Sequence, residues 1–125
     1  MLTLRLSGAL VLVEILAYLS GSAVLGDTQG VVNLPFYILL TAHELLGLLA
    51  GLLSVLTLLS CMKDFWGMVL SLASLEGVAL AGYSGLLYLR TGDLVLVFTM
   101  ALLNVISIAL TALLLGRSSR ILKQG

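Results

Sequence analysis

The stretch LPFYILLTAHELLGLLAGLLSVLTLLSCM, from Leu34 to Met62, decides the fold class of this chain. It contains no lysine or arginine, and its only carboxylate is Glu44. An apolar helix needs about 20 residues to cross the roughly 30 Å hydrocarbon core of a bilayer. The stretch is longer than that, so we predict a membrane-spanning helix here.

Three further apolar runs flank this stretch and cover residues 6–25, 65–89 and 94–116. The breaks between the runs are polar or turn-forming: residues 26–30 with Asn33 to Pro35, then Lys63-Asp64, then Arg90 to Asp93. The last two are short enough to make adjacent helices antiparallel neighbours. We predict an all-α, antiparallel four-helix bundle in an integral membrane protein, with one transmembrane domain over residues 1–125.

Composition excludes several classes of protein. Hydrophobic residues make up 61% of the chain and charged residues 10%, which is incompatible with a water-soluble domain. Six basic residues balance six acidic ones, so no nucleic-acid partner is expected. The single cysteine, Cys61, excludes an internal disulfide framework. No nucleotide-binding loop or hydrolase motif is present, and we expect a protein that is not an enzyme.

The distribution of basic residues predicts the orientation. With a cytoplasmic amino terminus, one side of the membrane collects Arg5, Lys63, Arg117, Arg120 and Lys123, and only Arg90 lies on the other. Basic residues favour the cytoplasmic side. We therefore predict a multi-pass plasma-membrane protein with both termini in the cytoplasm. A cleaved signal peptide is the alternative for the first run, but Glu14 lies within its apolar stretch.

The two halves of the chain share a weak pattern. EILAYLSG from Glu14, followed by Gly26-Asp27, echoes EGVALAGYSG from Glu76, followed by Gly92-Asp93. The match is short and requires gaps. It indicates either a tandem repeat of two helices or a chance match, because membrane helices are built from few residue types.

A set of polar side chains lies close to the centre of the four spans. At 1.5 Å per residue, all of them fall near the middle of the bilayer core. Such groups are costly in lipid and normally face a partner or a cavity. We expect one mid-membrane polar cluster, consisting of Glu14, His43, Glu44, Glu76 and Asn104.

Two explanations of this cluster remain open. The groups can hydrogen-bond to one another only to fix the register of the helices. Alternatively, they form a proton or cation path, or support a cofactor or quinone. A metal site is not expected, because His43 and Glu44 are adjacent in a helix and point about 100° apart.

Small residues predict where the helices approach one another. Gly47 and Gly51 share a helix face with His43, and small residues recur along the third helix. On the fourth helix, Ser107 and Thr111 continue a polar stripe from Asn104. The predicted helix-packing residues are Gly47, Gly51, Gly77, Ala81 and Gly85.

The second helix, with HELLGLLAG from His43 to Gly51, resembles one four-helix half of the haem A synthase group and is similar to small membrane b-type cytochromes. The preceding LSGSA from Leu19 and the segment from Gly85 to Asp93 are also similar to these families in their pattern of residues. The resemblance implies haem b bound by His43. Those families carry a second histidine that this chain lacks, so the other ligand would be Met100 or His43 of a second subunit.

These observations predict a small non-catalytic subunit or accessory component of a larger membrane complex, such as one of a respiratory chain. Its partners would be the lipid bilayer and other membrane subunits or further copies of itself. One alternative is a b-type haem protein that transfers electrons. Another is a proton-coupled transporter that works as an oligomer.

Overall fold

The computed structural model describes residues 1–28 and 35–125, with the backbone alone for residues 26–28. It contains the helices α1 (Leu2–Thr28), α2 (Phe36–Ser60), α3 (Phe65–Thr91) and α4 (Leu94–Gln124). All four are long and apolar enough to cross a membrane. The prediction of an all-helical chain with four such helices is confirmed, and the described ranges contain no strand.

The helix bounds differ from the apolar runs at several places. α1 continues through Thr28, into the first expected break. The rest of that break, residues 29–34, lies outside the described residues, as does the expected start of the second span at Leu34. α4 continues to Gln124, because its basic tail contains neither proline nor an internal glycine after Gly116.

The two short breaks contain residues that cap helices. The Asp64 carboxylate accepts a hydrogen bond from the Gly67 amide (3.1 Å) at the start of α3. Asp93 caps α4 in the same way through the Val95 amide (3.0 Å). Between them, Gly92 ends α3 in the left-handed conformation at φ 68°, which a residue without Cβ adopts freely.

The four helices pack in a ring. α1 lies between α2 and α4, and α3 lies between α4 and α2. Near the start of α1, the Thr3 hydroxyl donates to the Ser60 hydroxyl at the end of α2 (2.9 Å). Adjacent helices therefore run in opposite directions, and both described termini lie at the same end as the α2–α3 turn.

An ion pair joins α4 to the α2–α3 turn at that end. Arg117 donates to both carboxylate oxygens of Asp64, at 2.8 and 2.7 Å. The Arg117 guanidinium is the main reason that the pKa of Asp64 lies below its usual value. This bidentate contact fixes the end of the bundle from which both termini emerge.

Half of the bundle is closely packed. We call this the packed half: residues 2–13, 53–60, 65–77 and 105–124. Its buried positions are mostly small hydroxyl residues. Several of them bond to their own helix, as when Ser7 donates to the Thr3 carbonyl and Thr57 to the Leu53 carbonyl, both at 2.7 Å. A satisfied small side chain allows neighbouring helices to approach closely.

Candidate ligand-binding cavity

The other half of the bundle encloses a cavity of about 870 Å³. We call this the cavity half: residues 14–25, 36–52, 78–91 and 94–104. The volume is within the range of roughly 300–1,000 Å³ that is typical of small-molecule sites. All four helices line the cavity, and most of the lining is aliphatic. The polar or ionisable side chains in the lining are Glu14, His43, Glu44, Tyr88 and Asn104.

The cavity opens sideways between α2 and α3. These two helices pack less closely than the other adjacent pairs. The lining side chains nearest the opening are exposed, with Leu48 at 73% and Leu86 at 63%. The cavity is therefore accessible from the apolar outer surface of the bundle beside α2 and α3.

Glu14 lies at the inner end of the cavity and is 2% exposed. Its Oε1 accepts hydrogen bonds from Ser107 (2.7 Å), Thr111 (3.3 Å) and Ser74 (3.4 Å). Its Oε2 is also buried, yet no hydrogen-bond partner for it exists within the described ranges. A buried acceptor without a donor costs about 1–3 kcal/mol. One oxygen of Glu14 is thus anchored, and the other has no donor from the described residues.

The anchoring hydroxyls come from α3 and α4, which approach closely at this level. A Cβ on Gly77 would lie 3.2 Å from the Ser107 Cβ, so the glycine allows this approach. Ser107 also donates to the Ser74 carbonyl (3.0 Å), and the hydroxyls of Ser74 and Thr111 are 2.6 Å apart. The network holds Glu14 across the centre of the bundle.

His43 is held by backbone and hydroxyl groups of α1. Its Nδ1 lies 2.9 Å from the Ala17 carbonyl oxygen and 3.1 Å from the Ser20 hydroxyl. A carbonyl oxygen only accepts, so Nδ1 carries a proton and donates it to this hydrogen bond. The ring lies against Gly21, where a Cβ would come within 2.9 Å of Cε1. Nε2 has no partner among residues 1–28 and 35–125.

The structure brings four members of the expected polar cluster to one cavity. Glu14, His43 and Asn104 line its inner wall, while Glu44 is exposed at its mouth. Glu76 does not line the cavity and is exposed on the outer side of α3. Similar depth in the bundle therefore does not place all five groups in one environment.

The glycines expected to pack helices have different surroundings. Gly47 and Gly51 line the cavity, and a Cβ on either would meet nothing within 4 Å. They widen the cavity instead of contacting a helix, and α2 and α3 are the adjacent pair that packs least closely. Gly77 and Ala81 are buried, and a Cβ on Gly85 would lie 3.1 Å from the sulfur of Met100.

Met100 lines the same cavity as His43. The described side chains include no group of three His, Cys, Asp or Glu residues that could hold a metal ion. Glu14 accepts from Ser74, Ser107 and Thr111, and His43 contacts Ser20; the sequence predicted none of these contacts. Serines are frequent along these helices, and only their helical face distinguishes those that take part.

No protein-family model, curated protein or solved structure matches this chain. The proposed function therefore rests on the geometry of the cavity and on the charges around the bundle.

Proposed function

We propose that the chain is an antiparallel four-helix bundle of the plasma membrane with both termini in the cytoplasm. The support is the charge distribution along four apolar helices. Arg5, Lys63 and the basic tail of α4 lie at the end that also carries the Asp64–Arg117 ion pair, and Arg90 lies at the other. Cysteine labelling in intact cells tests this: a cysteine replacing Arg90 should react with a membrane-impermeant reagent, and one replacing Lys123 should not.

Within that membrane, we propose that the protein is a non-catalytic component that binds a lipid-soluble molecule between α2 and α3. The observation that carries this proposal is the cavity of about 870 Å³, which has an apolar wall and Glu14 at its inner end. A buried carboxylate oxygen without a donor favours a ligand that supplies one. The sideways mouth lets such a molecule enter from the bilayer.

A neutral fluorescent probe tests the cavity. N-phenyl-1-naphthylamine should gain fluorescence with the purified protein beyond its signal in empty micelles. Gly47→Leu should abolish most of this gain, since the new side chain extends into the cavity, where a Cβ meets nothing within 4 Å.

Gly116→Leu is the matched control for this test. Gly116 is an exposed helical glycine with equally open space around its Cβ, but it lies outside the cavity. Gly116→Leu should bind the probe like the unmodified protein. Equal binding by Gly47→Leu would contradict the proposed site.

The proposed larger assembly is supported by Glu76. This carboxylate is exposed near the middle of α3, and an ionisable group facing lipid costs about 2.5–3.5 kcal/mol on insertion scales. Contact with another subunit, or with a second copy of the chain, removes that cost. Purification in mild detergent should therefore recover a complex that Glu76→Leu weakens. A free monomer under all mild conditions would refute this assembly.

A second candidate function, haem b binding, is favoured by His43 and Met100. Both line the cavity, and the hydrogen bond from Nδ1 to the Ala17 carbonyl leaves Nε2 of His43 able to act as a ligand. This candidate predicts a Soret band in the purified protein that His43→Ala removes. Absence of the band after reconstitution with haem eliminates it.

A further inference from the structure

The polar lining of the cavity includes possible donors, the Asn104 amide and the Tyr88 hydroxyl, as well as the carboxylates of Glu14 and Glu44. Oε2 of Glu14 is buried and has no donor within the described ranges. Nδ1 of His43 contacts the Ala17 carbonyl, so Nε2 is the ring nitrogen left to face a ligand. A ligand that satisfies Oε2 of Glu14 must donate a hydrogen bond or carry a positive charge.

The charged residues around the cavity also favour a positively charged ligand. Its lining includes two glutamates, Glu14 and Glu44, and no lysine or arginine from the part of the chain described. Phe36 and Tyr88 add aromatic rings, whose faces attract cations. The remaining wall is aliphatic, which fits a hydrocarbon body and not a hydrated inorganic ion.

We propose that this cavity binds a lipophilic organic cation, either an amine or an onium compound, with its charged centre beside Glu14. This inference rests on the proposed ligand-binding function and specifies the class of ligand. A quinone is a poorer match, because it carries no positive charge to complement Glu14 and Glu44.

A pair of probes of equal shape and opposite charge tests the proposal in the unmodified protein. Tetraphenylphosphonium and tetraphenylborate are added to the complex with N-phenyl-1-naphthylamine in a non-ionic detergent. The cation should displace the neutral probe, and the anion should not. Equal displacement by both ions overturns the proposal, as does displacement by decylubiquinone but not by the cation.

The variant Glu14→Gln tests whether Glu14 supplies the negative charge that binds the cation. The amide oxygen can still accept from Ser107, Thr111 and Ser74, but the negative charge is gone. Affinity for tetraphenylphosphonium should fall about 30-fold or more, with binding of the neutral probe retained. Asp93→Asn, which removes a carboxylate outside the cavity and keeps a side chain that can cap α4, should leave both affinities unchanged.

The outcomes separate the two proposals. Unchanged affinity for the cation in Glu14→Gln overturns the inference and leaves the cavity itself intact. Failure of the neutral probe to bind the unmodified protein overturns the proposed function, and the inference with it. If Glu14→Gln does not fold, the comparison of cation with anion in the unmodified protein decides alone.

Discussion

The packed half and the cavity half use small residues for opposite purposes. In the packed half, Ser54 and Ser107 are fully buried, and neighbouring helices close over them. In the cavity half, Gly47 and Gly51 have open space where a Cβ would be. The α2–α3 turn and the Asp64–Arg117 pair hold one end of the bundle together, although α2 and α3 pack less closely overall than the other adjacent pairs. A small residue thus permits close packing, but contacts elsewhere determine whether it occurs.

The largest effect should come from removing a large buried side chain from the packed half. Leu114 is 1% exposed, and Leu114→Ala should lower the free energy of unfolding by about 3 kcal/mol, because the surrounding helices cannot close the space. Thermal unfolding in detergent measures this. Leu113→Ala is the control, since Leu113 is 62% exposed, and it should have little effect. Equal losses would mean that this half is not closely packed.

The next effect concerns the boundary between the halves. Ser107→Ala removes the 2.7 Å hydrogen bond to Glu14 and should cost about 2 kcal/mol, since it leaves a buried carboxylate with weaker donors. Ser22→Ala is a suitable control, because that hydroxyl is exposed and donates only to the Tyr18 carbonyl of its own helix. A loss no greater than that of Ser22→Ala would show that the network does not anchor Glu14.

A smaller effect is expected at the end that holds α2 and α3 together. Asp64→Ala removes the cap of α3 and should cost about 1 kcal/mol, whereas Asp64→Asn keeps a capping side chain and should cost less. Chemical denaturation of both variants at neutral pH measures the difference. Identical losses would assign the stabilisation to the charge pair and not to the cap.

The same residue predicts a dependence on pH. Its folded-state pKa is lowered by Arg117, so its contribution to stability is complete above the ordinary aspartate value of about 4. That contribution is lost as the pH falls through the lower pKa of the folded state. Asp64→Asn should show a weaker loss of stability on acidification. A parallel loss in both proteins would contradict this assignment.

The smallest effect is expected where a hydroxyl is buried without a partner. Ser71 is 1% exposed, and its Oγ has no hydrogen bond within the described ranges. Ser71→Ala should be neutral or slightly stabilising, by less than about 1 kcal/mol, because it removes an unsatisfied polar atom. The melting temperature in detergent distinguishes this result from the loss expected for Ser107→Ala. A marked loss would reveal a contact of Ser71 that the packed half requires.

The sequence was sufficient to predict four apolar helices, since hydropathy and charge mark where each run ends. The rotation of each helix about its axis was less accessible. α1 and α3 are apolar nearly all round, so the pattern does not show that Glu14 faces inward and Glu76 outward. The cavity depends on those rotations and on the loose packing of α2 against α3. Both are determined by contacts between residues that lie far apart in the sequence.

The sideways mouth between α2 and α3 also affects how binding should be measured. In the proposed orientation, a compound reaches Glu14 by lateral diffusion within one leaflet. Occupancy then follows its mole fraction among the lipids and not its concentration in the buffer. Two compounds with the same intrinsic affinity would show apparent dissociation constants that differ by the ratio of their partition coefficients.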